Sequence, residues 1–376
     1  MHAKIYLDNN ATTILAPEAF EAMSQELNAP PSNPSSVHEY GRMAKSRLAK
    51  ARSSIASYLK AKPTEIVFTS GGTESMNGLI KGYCELVKPG HIITSNIEHS
   101  CVQKSLEKLE EKGWRVSYLS ASMNGCVSPN QVELAIEPNT HLIVLSAANS
   151  ETGVKHDIEK IAQIAEKQKI GFIVDAVALL GKSPLTIPKG VTAMGFSAHK
   201  FHGPKGIGFC YVKSPTKIKP IIFGGEQEFT LRSGTENLAG IIGLAKAIEL
   251  IYESPPFNEM KRLRDYFENE LKINSGPLVI NGEGERVCNV SNLYFPGIDG
   301  ETLLIQLDMH GVLASQGSAC ASGSLEPSKV LLGMGLGTDR AKNSLRFSFS
   351  RYTTKENIDR ALKIIIALIR QMREFS

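Results

Sequence analysis

Between Glu65 and Val212 short apolar runs alternate with polar or glycine-rich loops and, over much of the stretch, with segments of helical periodicity. The apolar runs are Glu65–Thr69, Ile92–Thr94, Val116–Leu119, His141–Ser146, Gly171–Asp175, Met194–Phe196 and Gly208–Val212. Helical segments run from Met76 to Val87, from about Glu98 onward, and from Ile158 to Gln168. Strands alternating with helices predict a largely parallel sheet covered on both faces. Ligands of such sheets bind at the carboxyl ends of the strands.

Several chemically capable residues fall at those ends. The run Met194–Phe196 leads into Ser197-Ala198-His199-Lys200 and then a loop, Gly203-Pro204-Lys205-Gly206-Ile207-Gly208. A lysine amine in that position can form a Schiff base with an aldehyde cofactor. Ser197 and His199 can hold an anion beside it. Taken alone, Lys200 reads equally well as a solvated lysine in a basic loop. Ser70-Gly71-Gly72-Thr73-Glu74-Ser75 joins another strand to a helix. Free amides and the helix dipole make such a junction an anion seat; a helix start capped by Thr73 is the other reading. His99, Ser150 and Asp175 also fall at or just past strand ends. That shared location favours an active site over scattered surface residues.

The remaining segments suggest a second unit. Ile5–Leu7 is a short strand, Pro17 opens a helix, and His38–Leu59 is amphipathic. The polar glycine loop Gly224–Asn237 precedes a helix to Tyr252, and Ser254-Pro255-Pro256 breaks the chain. Beyond it come a helix over Asn258–Ile273, a strand over Asn289–Phe295 and a helix over Glu301–Met309. A small, polar loop over Ala314–Ser328, a strand over Leu345–Arg351 and a helix over Thr354–Met372 follow. We therefore expect a large domain over 14–254 and a smaller α+β domain from 1–13 with 255–376.

A net charge of +4 and the lack of a long basic block give no sign of nucleic acid or a membrane surface as partner. The N-terminus lacks a signal-peptide apolar region, and no apolar stretch reaches transmembrane length. Six scattered cysteines without a Cys-x-x-Cys pair argue against zinc, other metal sites and a disulfide framework, and fit a reducing cytoplasm.

In order along nearly the whole chain, a set of strings resembles the NifS/IscS-like cysteine desulfurases. They include Tyr6-Leu7-Asp8-Asn9-Asn10-Ala11-Thr12-Thr13, Phe68-Thr69-Ser70-Gly71-Gly72-Thr73-Glu74-Ser75, Glu98-His99 and Glu151-Thr152-Gly153. Asn33-Pro34-Ser35-Ser36, Val174-Asp175-Ala176, Ser197-Ala198-His199-Lys200, Arg232-Ser233-Gly234-Thr235, Gly317-Ser318-Ala319-Cys320 and Arg346-Phe347-Ser348 complete the set. The resemblance implies a pyridoxal phosphate (PLP) enzyme of fold type I, with a mainly parallel seven-stranded sheet. Lys200 resembles the Schiff-base lysine, Asp175 the partner of the pyridinium nitrogen, and His99 the stacking imidazole that shuttles a proton. Gly72, Thr73, Ser197 and His199 resemble cofactor-binding residues at the phosphate, and Ser150 another cofactor contact. Thr235 resembles a phosphate ligand given across a homodimer interface. Arg346 and Asn33 resemble the ligands of the substrate carboxylate. Cys320 resembles the thiol that takes sulfur from L-cysteine as a persulfide, releasing alanine. An iron–sulfur scaffold or another sulfur acceptor is the implied protein partner.

Two positions depart from the family pattern. Ser150 stands where an Asn is usual, and Ala178 where a Gln is usual. Both amides ordinarily contact the cofactor's phenolic oxygen or the substrate carboxylate; Asn149, water or a repacked neighbour is the alternative donor. The chain ends at Ser376, soon after the last helix, so we expect it to lack the extension through which some members dock the scaffold. A selenocysteine lyase or another class V lyase or aminotransferase need not use a loop thiol, so Cys320 favours the desulfurase. A weakly active PLP-binding interaction protein is a third reading, which Ser150 and Ala178 favour and Lys200 and Cys320 oppose.

Overall fold

The computed structural model describes residues 4–317 and 326–374. Its strands are β1 (Ile5–Tyr6), β2 (Ile66–Thr69), β3 (His91–Ser95), β4 (Arg115–Leu119), β5 (Thr140–Ser146) and β6 (Gly171–Asp175). β7 (Ala193–Ser197), β8 (Gly208–Val212), β9 (Val279–Ile280), β10 (Val290–Tyr294), β11 (Val312–Leu313) and β12 (Ser344–Ser348) follow. The helices used below are α1 (Pro17–Leu27), α2 (Glu39–Leu59), α3 (Gly72–Cys84), α4 (Ser100–Glu110), α5 (Pro129–Leu134), α6 (Ile158–Gln168), α7 (Leu238–Glu253) and α8 (Phe257–Asn274).

A seven-stranded sheet in the order β2-β8-β7-β6-β5-β3-β4 forms the frame. β4, β3, β5, β6 and β7 are mutually parallel, and β8 runs against both β7 and β2. The exception has a simple cause. Only a glycine-rich loop separates β7 from β8, too short for the crossover that a parallel neighbour requires.

Side-chain alternation splits the core into two layers. Ile143 and Leu145 of β5 pack with α2, α6 and α7. Leu142 and Val144, on the opposite face, pack with α3 and α4. All four are fully buried. Truncating one to Ala costs about 2–5 kcal/mol, a large part of a domain's total stability.

A third cluster lies around β10 and β12, with Leu263, Phe267 and Leu271 of α8 and the C-terminal helix Lys355–Glu374. Ile5 and Leu7 pack into the same cluster. β1 pairs with β11, and Asp8 bridges to Ser348, so the first residues of the chain join its last third.

Two details shape the upper edge of the sheet. The helix expected from Met76 begins at Gly72. A Cβ on Gly72 would lie 2.7 Å from Val177 Cγ2, so only glycine lets the turn come this close to the loop after β6. At Gly208 a Cβ would meet Phe196 O at 2.5 Å and Gly71 Cα at 2.7 Å. The start of β8 thus lies directly under the glycine turn.

Candidate active site

A cavity of about 670 Å³ opens at the carboxyl edge of the sheet. Gly72 and Thr73 at the start of α3, His99 ahead of α4 and Ser150 after β5 line it. Asp175 at the end of β6, and Ser197, His199 and Lys200 at and after the end of β7, complete the sheet side. Arg346 of β12 closes the cavity from the other side.

One end of the cavity is built for an anion. The N-cap of α3, Gly71, makes no side-chain capping bond. Thr73 sits inside the helix rather than capping it, so the first amides keep their donors for a ligand. Ser197 is 3% exposed and packs against the same turn, its Oγ 3.6 Å from where a Gly71 Cβ would stand. His199 Nδ1 lies 3.1 Å from Thr12 Oγ1. Burial, with Lys200, Lys182 and Lys205 nearby, lowers the His199 pKa to about 4, so it is a neutral hydrogen-bonding group at pH 7.

At the middle of the cavity Lys200 Nζ donates to Asn10 O at 2.7 Å and to Ala11 O at 2.9 Å. Asp175 is 6% exposed and accepts the Val177 amide at 2.9 Å. Burial raises its pKa, while that amide, His99 and Lys200 oppose the rise. His99 caps α4: its Nδ1 accepts from the Cys101 amide at 3.2 Å. A neutral ring accepting at Nδ1 carries its proton on Nε2. Cys101 Sγ is 3.0 Å from the same Nδ1, and burial pushes the thiol pKa up, so the sulfur is protonated. Burial, the largest influence on His99, lowers its pKa.

Opposite them, Arg346 is 2% exposed. Its Nη2 donates to Asp8 Oδ1 at 2.7 Å and its Nη1 to Ser150 O at 3.3 Å, while its buried Nε has no hydrogen-bond partner. Asn10 donates to Ser150 O at 2.9 Å and accepts from Asn289 at 3.0 Å, which fixes the loop whose carbonyl holds Lys200. Glu151, 2% exposed, accepts from Ser328 Oγ at 2.5 Å.

Ala178 lines the cavity wall. Asn149 also lines the cavity. Its Oδ1 accepts from the Glu151 and Thr152 amides at 2.9 and 3.0 Å, and its Nδ2 donates to Ile97 O at 3.2 Å. Thr235 and Asn33 are exposed and outside this cavity lining; the Asn33 side chain accepts from the Ser35 amide at 2.9 Å. Cys320 lies outside the described residues.

Sequence reasoning passed over several members of the site, among them Asp8, Asn10, Glu98 and Lys182. Asp8 and Asn10 stood in a recognised string without a role, and Glu98 was visible only as the neighbour of His99.

These residues fit pyridoxal phosphate: an uncapped helix start with hydroxyls for the phosphate, a buried carboxylate, and an amine, all on one cavity. The aminotransferase class-V family model matches residues 5–361, and the chain belongs to that family. Within it, the chain is 41% identical over 382 residues to cysteine desulfurase IscS of Dictyoglomus turgidum, covering 100% of this chain and 97% of the relative. It is 40% identical to a cysteine desulfurase of Trichormus azollae, covering 99% of this chain and 94% of that one. Among solved structures, a NifS-like protein superposes with a TM-score of 0.91 at 34% identity, over 98% of this chain and 100% of its own. SspA in complex with cysteine superposes with a TM-score of 0.83 at 35% identity, over 94% and 100% of the two chains.

Proposed function

We propose that this protein is a PLP-dependent cysteine desulfurase that converts L-cysteine to L-alanine and passes the sulfur to Cys320. The observation that carries the proposal is the convergence of Lys200, the buried Asp175 and the open start of α3 on one cavity, with Arg346 facing them.

In this reading Lys200 holds the cofactor and moves the substrate's α-proton. Its place between two backbone carbonyls aims the amine at the cavity. Asp175 partners the ring nitrogen, and Gly72, Thr73, Ser197 and His199 hold the phosphate, with Thr235 reaching the partner's site in a homodimer. When bound, PLP supplies an electron sink for charge developing at the α-carbon. His99, with its proton on Nε2, donates into the cavity. Arg346 binds the substrate carboxylate through a fixed planar fork, and Asn33 adds a further contact. The Cys320 thiolate attacks the substrate sulfur; the carbon–sulfur bond breaks as the new sulfur–sulfur bond forms, leaving a persulfide on the protein and alanine to depart. We further assign residues 14–254 to the cofactor domain, and 1–13 with 255–376 to the domain carrying the cysteine loop. The persulfide serves an iron–sulfur scaffold or another acceptor in the cytoplasm.

Alanine measured against trapped persulfide tests the function. L-Cysteine and PLP should yield alanine, with persulfide on Cys320 under single-turnover conditions. Persulfide on Cys101 or Cys126 instead would overturn the assignment of the acceptor.

A further inference from the structure

Behind Asp175 lies a group of buried polar side chains that the reaction just described does not use. Glu98 is 3% exposed and lines the cavity, and its Oε2 has no hydrogen-bond partner. Ser146 Oγ and both ring nitrogens of His156 are also buried without partners. These groups meet at one place. Ser146 pairs with Asp175 in the β5–β6 register. The next residue, Ala147, donates to Asp175 O at 2.8 Å and accepts from the His156 amide at 3.1 Å. Glu98 Oε1 accepts from Ser95 Oγ at 2.5 Å, leaving Oε2 as the free edge of the carboxyl.

Two buried carboxyls close enough to feel each other's charge cannot both ionise cheaply. The surroundings of the pair are unequal. Asp175 has the Val177 amide, with His99 and Lys200 nearby. Glu98 has the hydroxyls of Ser95 and Ser146, the Cys101 thiol, and Asp175 itself. His156, at the far side, is neutral at pH 7, because burial lowers its pKa to about 4.

We propose that Glu98 is a positioning residue for the cofactor: held as the neutral acid, it leaves the single negative charge of the pair on Asp175 and donates its Oε2 proton toward Ser146. The inference rests on the reading of Asp175 as the partner of the cofactor's ring nitrogen. Burial, the largest cause, and Asp175 raise the Glu98 pKa to about 8, against the opposing hydroxyl of Ser95. An ionised Glu98 would put a second negative charge near Asp175 and raise the proton affinity of the carboxylate that must stay ionised to partner the ring nitrogen.

Infrared difference spectroscopy tests this with and without cofactor, so the protonation state is read independently of desulfurase activity. A protonated-carboxyl band is expected at pH 7. It should vanish in Glu98→Gln, persist in Asp175→Asn, and fade as the pH rises through about 8. Glu98→Ala should weaken PLP binding by about tenfold, the cost of leaving buried partners unsatisfied. Glu98→Gln, neutral and of the same shape, should recover most of that loss. Absence of the band from the unmodified protein at pH 7, or its survival in Glu98→Gln, would overturn the proposal even if Glu98→Ala fails to fold.

Discussion

Arg346 Nη2 donates to Asp8 Oδ1 across 2.7 Å, joining residues 338 positions apart in the chain. The pair sets one face of the guanidinium before any substrate arrives. It also ties the first strand of the chain to the sheet of the smaller unit, since Asp8 bridges to Ser348.

Asp8→Asn should therefore raise the KM for L-cysteine more than it lowers kcat, because a misoriented Arg346 loses binding felt alike in ground and transition states. It should also lower stability by about 2 kcal/mol, since the guanidinium is buried and loses its charged partner. Steady-state kinetics and denaturant unfolding measure the two effects. A normal KM with normal stability would remove Asp8 from the site.

Ala178→Gln should lower the pH at which the visible band of the lysine-bound cofactor titrates. The Asn149 side chain is anchored by the Glu151 and Thr152 amides and by Ile97 O, which takes one of its two N–H groups. A phenolate that accepts fewer hydrogen bonds is more basic and holds the imine proton longer. Restoring the donor should reverse this and speed the first reaction with L-cysteine. An unchanged titration in a folded variant would leave the departure at Ala178 without functional meaning.

Much of this arrangement was legible from the residues. Ser197–Lys200 and Asp175 lie at strand ends because apolar runs end in polar residues there, and period-two patterning shows where the runs stop. The direction of β8 was not read from its own residues, since an apolar run looks the same in either orientation; the short loop before it carries that information. β9, β11 and α5 escaped notice because elements of two to six residues leave too little periodicity. The Asp8–Arg346 pair and the Glu98 cluster were invisible for another reason. Burial of a charged side chain depends on segments far away in sequence, and no local pattern encodes it.

Acid should destabilise the protein in part through His156. Its folded-state pKa of about 4 lies below the ordinary 6.5. The unfolded chain therefore binds a proton that the folded chain refuses, so stability rises with pH across that window and is lost as pH falls from 6.5 toward 4. The full effect is about 3 kcal/mol. Urea midpoints compared at pH 7 and pH 5 should drop less for His156→Gln than for the unmodified protein. Equal drops would contradict the assignment.

Cys320→Ser should retain PLP and still alter the cofactor's visible spectrum on adding L-cysteine, yet release little alanine. This separates binding in the cavity from sulfur transfer. Alanine release at the unmodified rate would exclude Cys320 as the acceptor.

The most direct test of the account is the absorption spectrum and alanine yield of Lys200→Ala supplied with PLP and L-cysteine. The unmodified protein should be yellow and form alanine, whereas the variant should lack the lysine-bound band and form none. A variant that kept both the band and the turnover would show that the cofactor is held elsewhere, and the assignment of this cavity would fall with it.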